Sequence, residues 1–221
     1  IMELNQYLDH TLLSASASES DILKLCEEAI KYNFYSVCVN SCYVPIAKQA
    51  LGRSNVKICT VVGFPLGAMS TEAKVYEAKK AIEQGASEID MVINIGRMKS
   101  QNHVAVLKDI TDVKQAIGLT PLKVILEISE LSKNEIVKAR EICIDAKADF
   151  VKTSTGFSKS GATLTAVKIM RKTVRDHLKI KASGGIRDAE TALKYIDVGV
   201  DRIGTSSGVA MMEDLPSYSS Y

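Results

Sequence analysis

Short runs rich in valine, isoleucine and phenylalanine recur along the whole chain, and each has the length of a β-strand. They are "SVCVN", "KICTVVGF", "EIDMVIN", "LKVILEI", "DFVKTST", "IKASGG" and "DRIGTSS", with "YLDHTLL" near the start as an eighth. Longer segments with apolar residues at helical spacing separate these runs. The predicted order is therefore a strand followed by a helix, repeated along the chain.

Two of the intervening segments carry specific helix signals. One opens with a capping box, because Glu135 follows Ser132 by three residues, and apolar residues at helical spacing continue over residues 136–146. The other, "STEAKVYEAKKAIEQGA", has Glu72 in its first turn and stops at Gly85, a residue type that commonly ends helices.

The units recur at intervals of roughly 20 to 35 residues, which is typical of right-handed βαβ crossovers and a parallel sheet. Eight units predict an α/β fold, a closed (β/α)₈ barrel formed as a single domain by residues 1–214. The competing open doubly wound sheet usually has a glycine-rich fingerprint after its first strand, and "DHTLLSAS" has none. Residues 215–221, "LPSYSSY", have the composition of a flexible tail.

Strand alternation predicts which side chains enter the barrel, because residues two apart share a face. Where Val37 and Val39 face the helices, Cys38 faces the interior. The same alternation turns Asp90 inward between apolar neighbours, and it turns Lys152 inward after a valine. Since barrel interiors are normally filled by branched apolar side chains, these polar residues require an explanation.

Other polar strand positions are left open by the alternation. Asp9 and Thr11 share one face of the first strand, but the pattern does not say which. Lys181 lies either near the start of its strand or near the C-terminal mouth of the barrel. Lys57 and Lys123 stand at the beginning of their runs and are interpreted as solvated strand openings.

Lys152 has two explanations at this point. It either lies at a strand end and extends its amine to water, or it performs chemistry at the C-terminal mouth, where enzymes on this fold carry their active sites. If Lys152, Lys181 and Asp90 converge, chemistry is favoured, because burial and a neighbouring cation lower the pKa of an amine and make it nucleophilic. Lowering an amine pKa from about 10.4 to about 7 needs roughly 4 to 5 kcal/mol. A neutral Lys152 would form a Schiff base with a carbonyl, and Asp90 would transfer protons.

Two glycine-rich segments, "SGGI" and "GTSSG", follow the last two predicted strands. Barrels of this kind often hold phosphate after strands 7 and 8, with backbone N–H groups and a helix N-terminus. For either segment alone, glycines required by a tight turn explain the sequence equally well. Their joint occurrence favours a phosphorylated substrate.

Composition narrows the class of partner. A net charge of +2 provides no broad basic field for nucleic acid. The five cysteines include no CxxC pair, the N-terminus shows no secretory segment, and no apolar run approaches the roughly 20 residues that span a bilayer. These observations predict a reduced, cytoplasmic protein that binds small molecules and neither nucleic acid nor membrane.

Several long motifs resemble one family. "LDHTLL", "VVGFPLGAMSTEAKVYEAKKAIEQGASEIDMVINIG", "VILEISEL", "FVKTSTGFSKSGAT", "IKASGGIRDAETAL" and "RIGTSSG" cover nearly the whole chain, and together they closely resemble the deoxyribose-phosphate aldolases. These are class I aldolases on a (β/α)₈ barrel. The resemblance implies reversible cleavage of 2-deoxy-D-ribose 5-phosphate to D-glyceraldehyde 3-phosphate and acetaldehyde, without a metal or other cofactor. It also implies a homodimer.

The resemblance implies a role for each matching position. Lys152 would be the Schiff-base lysine, Lys181 its cationic neighbour, and Asp90 the acid/base residue acting with an ordered water. The remaining matches are substrate-binding or phosphate-contacting positions, namely Asp9, Thr11, Cys38, Thr155, Gly156, Gly184, Gly185, Gly204, Ser206 and Ser207. Phe157 departs from relatives that carry lysine after "TSTG", so one cationic phosphate contact is expected to be absent.

A few residues are assigned outside this set. His10 is expected to be structural, because strand parity turns it away from Asp9. Cys42 and Cys143 are expected to pack as small hydrophobes. Tyr221 either belongs to a disordered end or folds over the mouth and assists proton transfer at the enamine carbon, as proposed for related enzymes. Competing functions are a phosphosugar isomerase or epimerase on the same barrel, and a barrel that only binds a sugar phosphate.

Overall fold

The computed structural model describes residues 2–173 and 178–214. Eight parallel strands form a closed barrel in chain order, and the last strand pairs with the first. The strands are β1 (Leu8–Leu12), β2 (Ser36–Val39), β3 (Lys57–Val62), β4 (Glu88–Val92), β5 (Leu122–Ile125), β6 (Phe150–Lys152), β7 (Lys179–Ser183) and β8 (Arg202–Thr205). All eight predicted strands and the (β/α)₈ barrel are confirmed. The predicted tail, with Tyr221, lies outside the described residues.

Helices surround the barrel and connect successive strands. In the described part of the chain they are α1 (Glu19–Tyr32), α2 (Val44–Leu51), α3 (Thr71–Gln84), α4 (Ile95–Lys99), α5 (His103–Ile117), α6 (Lys133–Asp145), α7 (Leu164–Thr173), α8 (Ala189–Asp197) and α9 (Gly208–Glu213). The capping box that opens α6 is present, with Ser132 and Glu135 bonded reciprocally. Gly85 follows α3 with φ 121°. Both helix signals in the sequence are therefore confirmed.

The core has two parts, separated by the wall of the barrel. The larger lies between the strands and the helices and includes Val37, Val39 and Met91. A smaller cluster inside the barrel contains Cys38 and Cys59, with Leu13 and Val61. The alternation predicted for β2 and β4 is therefore confirmed.

Two expectations for single residues are wrong. Lys123 is not a solvated strand opening: its side chain is fully buried, because it is in register with Asp90 of β4 and points into the barrel with it. Cys42 is exposed, since it lies in the short 3-10 turn that follows β2 rather than in the core. Lys57 is exposed and Cys143 is buried, as predicted.

Lys74, like Lys123, is a buried lysine, and it holds two helices against the end of β4. Lys74 of α3 is fully buried, and its Nζ contacts Asp109 Oδ2 of α5 at 2.6 Å. The same Nζ donates to the carbonyl of Val92 at 2.9 Å. A buried carbonyl at the strand end is therefore satisfied by an ion-paired side chain, which ties α3 and α5 to the strand that carries Asp90.

Candidate active site

Asp90 is the centre of a charged cluster inside the barrel. Its Oδ2 accepts from Lys152 Nζ at 3.0 Å and from Lys181 Nζ at 2.9 Å. Its Oδ1 accepts from Lys123 Nζ at 2.9 Å and from Cys59 Sγ at 3.1 Å. Strands β3, β5, β6 and β7 thus each direct a polar side chain to the carboxylate carried by β4.

A second group of charges extends the cluster toward β1 and β8. Asp9 Oδ2 contacts Lys181 Nζ at 2.7 Å, and Asp9 Oδ1 contacts Arg202 Nη1 at 3.0 Å. Glu88 Oε1 lies 2.6 Å from Lys123 Nζ and 2.9 Å from Arg202 Nη1. Asp9 and Lys181 therefore face the interior, which settles both positions that the alternation left open.

The charges of the cluster hold one another ionised. Burial raises the pKa of Asp90, but Lys123, Lys181 and Lys152 together hold it well below its usual range. Burial lowers the pKa of Lys181, but Asp9 and Asp90 raise it well above the usual value for lysine. Lys181 is thus an ammonium ion at neutral pH and Asp90 a carboxylate.

Lys152 and Lys181 are close neighbours on adjacent strands. They are in register between β6 and β7, and both amines contact the same oxygen of Asp90. The amines consequently lie within about 6 Å of each other, a range in which one charge shifts the pKa of another group. Both lysines are fully buried.

Gly204 makes room for Lys181. A Cβ at this position would lie 2.9 Å from Lys181 Cε and 3.0 Å from Ser183 Cβ. Gly204 lies within β8 and pairs with Asp9 of β1. Besides the phosphate contact predicted for it, Gly204 therefore leaves room for the side chain of Lys181.

Cys38 lies beside these residues, as the sequence analysis expected. It is buried next to Cys59, and a hydrogen bond with Cys59 lowers its pKa to about 7, while burial opposes this effect and Lys181 supports it. Among the described residues, the two sulfur atoms and one oxygen of Asp90 lie within 4.8 Å of one another, as metal ligands would. The three lysines that contact Asp90 compete with any cation for that carboxylate.

The loop between β6 and α7 borders the mouth of the barrel above Lys152. Thr155 is buried, and both its backbone N–H and its hydroxyl donate to Glu127. These are its two hydrogen-bond donors, so neither is available to a phosphate while they contact Glu127. Ser154 is also buried, and its hydroxyl has no hydrogen-bond partner among the described residues.

Close backbone packing joins this loop to the segment after β7. A Cβ on Gly161 would lie 2.1 Å from the carbonyl oxygen of Gly184. Gly156, Gly184 and Gly185 have φ values of 86°, 89° and 79°, which favour glycine. The positive φ angles of Gly156, Gly184 and Gly185 thus account for glycine at these positions without a ligand.

The other predicted positions are distributed around this site. Ser207 is buried and precedes α9, and Ser206 lies beside it in the loop after β8. Thr11 is buried and donates to the carbonyl of Asp9. Phe157 is half exposed and packs edge-on against Phe64 at 5.5 Å between ring centroids.

His10 faces the helical layer, away from the charged cluster. Its ring lies 4.8 Å from the ring of Phe34, and its Nε2 lies 3.6 Å from Glu28 Oε1 of α1. The structural role expected for His10 agrees with this position.

Four members of the site were missed by the sequence analysis: Lys123, Glu88, Arg202 and Glu127. Strand alternation offered a signal for Lys123: its neighbour Val124 faces the helices, so Lys123 must face the barrel interior. Glu88 and Arg202 stand at the first positions of β4 and β8, where charged residues are usually solvated. Glu127 lies beyond the end of β5, so alternation does not apply to it.

Comparisons with known proteins identify the family of the chain. The family model for DeoC/LacD family aldolase matches residues 4–213. The deoxyribose-phosphate aldolase of Mannheimia succiniciproducens is 56% identical over 213 residues, covering 96% of this chain and 95% of that protein. That of Finegoldia magna is 57% identical over 212 residues, covering 96% of this chain and 100% of that protein.

Solved structures show the same fold at high similarity. An aldolase named QR15 has a TM-score of 0.93 at 41% identity, with 97% of this chain and 96% of that chain covered. The deoxyribose phosphate aldolase of Aeropyrum pernix, described as a unique tetramer, has a TM-score of 0.85 at 33% identity, with 96% and 90% covered. Within the described residues, no helix is both long and apolar enough to span a membrane. On the family match and the relatives above 50% identity, the chain belongs to the DeoC/LacD family of aldolases.

Proposed function

We propose that the protein cleaves 2-deoxy-D-ribose 5-phosphate reversibly to D-glyceraldehyde 3-phosphate and acetaldehyde, through a Schiff base on Lys152. The observation that carries the proposal is the contact of Lys152 and Lys181 with one oxygen of Asp90, inside the barrel. The substrate is inferred from relatives named deoxyribose-phosphate aldolase that are 56% and 57% identical to this chain.

The charge of the cluster supports Lys152 as the nucleophile. Four cationic side chains (Lys123, Lys152, Lys181 and Arg202) meet three carboxylates (Asp9, Glu88 and Asp90) in the barrel. These directly paired groups carry one positive charge more than negative charge, which favours loss of a proton from one lysine. Lys181 and Lys123 are held as ammonium ions by adjacent carboxylates, so we assign the loss of a proton before attack to Lys152. A neutral buried amine is the form that attacks a carbonyl.

The mechanism follows from these positions. Lys152 attacks the open-chain aldehyde and loses water, and the protonated Schiff base withdraws electrons from the adjacent carbon. The C2–C3 bond then breaks as the hydroxyl on C3 loses its proton, and carbons 3 to 5 depart as the triose phosphate. The enamine takes up a proton at carbon, and hydrolysis returns acetaldehyde and the free amine.

Proton transfer is assigned to Lys181 and Asp90. Lys181 is a buried ammonium ion that contacts Asp90 at 2.9 Å, so it can donate a proton in the interior. The pKa of Asp90 is held low, so at neutral pH the group is a carboxylate and has no proton of its own to donate. We therefore assign Asp90 to orient the two amines and to accept protons through an ordered water.

The phosphate is proposed to bind at the glycine-rich side of the mouth. Gly184 and Gly185 lie there with positive φ angles, and Ser206 and Ser207 follow β8 nearby. The buried hydroxyl of Ser154, two residues after Lys152, has no hydrogen-bond partner within the described part of the chain and can donate to a bound substrate. Asp9 and Thr11 lie on β1, which pairs with β8. We propose further that the enzyme needs no metal, acts in the cytoplasm and forms a homodimer, although the Aeropyrum pernix relative is described as a tetramer.

The test is product formation by purified protein. Incubation with 2-deoxyribose 5-phosphate in excess chelator is expected to release acetaldehyde and triose phosphate in equal amounts. Lys152→Leu is expected to lose this activity while keeping its fold. Conversion of the sugar phosphate without release of aldehyde would instead favour an isomerase, and binding without conversion would favour a binding protein.

A further inference from the structure

Glu127 occupies an unusual backbone position just after β5. Its φ of 58° and ψ of 67° are left-handed, a conformation that residues other than glycine rarely adopt. Its neighbours Leu126 and Ile128 donate to the carbonyls of Lys152 and Thr153, each at 3.0 Å. In a regular parallel ladder, donors two residues apart reach acceptors two residues apart. Glu127 is therefore the extra residue of a β-bulge beside Lys152.

The carboxylate of Glu127 holds the loop that follows Lys152. Its Oε1 accepts from the backbone N–H of Thr155 at 3.1 Å, and its Oε2 accepts from the hydroxyl of the same residue. That hydroxyl oxygen accepts in turn from the N–H of Phe157 at 3.0 Å. Hydrogen bonds to an ionised acceptor are stronger than neutral ones. One side chain that follows β5 thus fixes the first turn of the loop after Lys152.

Glu127 is also electrostatically linked to Lys152 itself. The residue is 2% exposed. Burial raises the pKa of Glu127 above its usual value, with a smaller contribution from Glu130, and hydrogen bonds from Thr155 and the charge of Lys152 only partly oppose this. A buried carboxyl group in a strained backbone conformation is unfavourable for stability, and such strain is concentrated at functional sites.

A nearby residue provides a comparison within the same turn. Glu130 also contacts the loop, since its Oε1 accepts from Ser158 Oγ at 2.6 Å and its Oε2 lies 3.1 Å from Lys159 Nζ. These contacts are solvent-exposed and lie farther along the chain from Lys152. Both glutamates anchor the loop, but only Glu127, which is buried, holds the part of the loop that directly follows β6.

We propose that Glu127 is a positioning residue for the Schiff-base chemistry: the bulge and the paired hydrogen bonds to Thr155 hold Lys152 at the angle needed to attack a carbonyl. The inference rests on the proposed function of Lys152. Glu127 need not touch the substrate for this role. Small displacements of a reacting group by a distant residue are sufficient to reduce rates strongly.

The test compares Glu127→Gln with Thr155→Val, and Glu130→Gln serves as the matched control. In glutamine an NH₂ group, which cannot accept a hydrogen bond, replaces one of the two oxygens of Glu127 that accept from Thr155. Valine at position 155 removes the hydroxyl with little change of shape. The readouts are kcat, KM, the rate of borohydride trapping of acetaldehyde on Lys152, and the thermal unfolding midpoint. We expect kcat and the trapping rate to fall at least about tenfold in both variants, with KM changed less than about threefold. Glu130→Gln is expected to stay within about twofold of the unmodified protein.

The double variant makes the test specific. Because both substitutions remove the same hydrogen bond, Glu127→Gln with Thr155→Val should be no slower than the slower single variant. Three results would overturn the proposal: a loss of kcat in the double variant equal to the product of the two single losses, an unchanged trapping rate in either single variant, or an equal loss in Glu130→Gln. If Glu127→Gln does not fold, Thr155→Val and its control decide alone. No adduct on Lys152 in the unmodified protein would instead refute the proposed function.

Discussion

Replacing Lys123 by methionine tests the charge balance of the barrel. Lys123 is fully buried and contacts Glu88 at 2.6 Å and Asp90 at 2.9 Å. Removing one partner of a buried ion pair costs about 3 to 5 kcal/mol of stability. Natural domains have roughly 5 to 15 kcal/mol, so the variant is expected to fold with a lower unfolding midpoint.

The same substitution should change the pH at which Lys152 reacts. Lys123 and Lys152 contact the two oxygens of one carboxylate, so their amines lie within about 8 Å. At an effective dielectric constant of about 20, a unit charge about 7 Å away is worth roughly 2.4 kcal/mol. This equals about 1.7 pH units. Because loss of a nearby cation favours the ammonium form, the midpoint of adduct formation should rise by about 1 to 2 pH units.

The assay is the rate of borohydride trapping of acetaldehyde as a function of pH. Lys57→Met is the matched control, since Lys57 opens β3 on the exposed surface. The control should leave the midpoint unchanged within about 0.3 pH units. A downward shift in Lys123→Met, or no shift in a folded variant, would refute the reasoning that Lys152 reacts as a neutral amine within a balanced cluster.

Two further predictions concern residues that pack beside the lysines. Gly204→Ala would place a Cβ 2.9 Å from Lys181 Cε, and we expect about a 10- to 100-fold loss of kcat with about 1 to 3 kcal/mol of destabilisation. Gly96→Ala, whose Cβ would meet its nearest atom at 3.5 Å, is the control, and equal activities in the two variants would contradict the packing role of Gly204. Cys38 is buried beside the cluster with a pKa of about 7, so Cys38→Met is expected to slow inactivation by high acetaldehyde, measured as residual activity over time. An inactivation rate equal to that of the unmodified protein would exclude this thiol as the target.

The sequence predicted the barrel because its signals are local and repeated. Each strand has an apolar run of the right length, and α3 and α6 carry their own start and stop signals. Alternation within a strand then turned Asp90 and Lys152 inward correctly. These features depend on backbone geometry over a few residues, which a single sequence encodes directly.

The charge network could not be predicted in the same way. The bond from Lys181 to Asp90 joins residues 91 positions apart, and that from Arg202 to Asp9 joins residues 193 apart. Lys123 was misplaced because a lysine at the start of a strand is usually solvated, whereas here Glu88 and Asp90 compensate its burial. Such compensation depends on the register and closure of the barrel.

The bulge at Glu127 could not be predicted from the sequence either. Positive φ angles are usually signalled by glycine or asparagine, and a glutamate gives no such sign. The strain is offset by the bonds from Glu127 to Thr155, in the loop that follows β6. Only the three-dimensional pairing of β5 with β6 reveals it.

Peptide mapping after borohydride reduction in the presence of acetaldehyde tests the central claim most directly. The account predicts a single reduced adduct on Lys152, absent from Lys152→Leu and undiminished by a metal chelator. Lys181 and Lys123 should remain unmodified, because adjacent carboxylates hold both as ammonium ions. An adduct on either of those lysines, or none at all in active protein, would contradict the account.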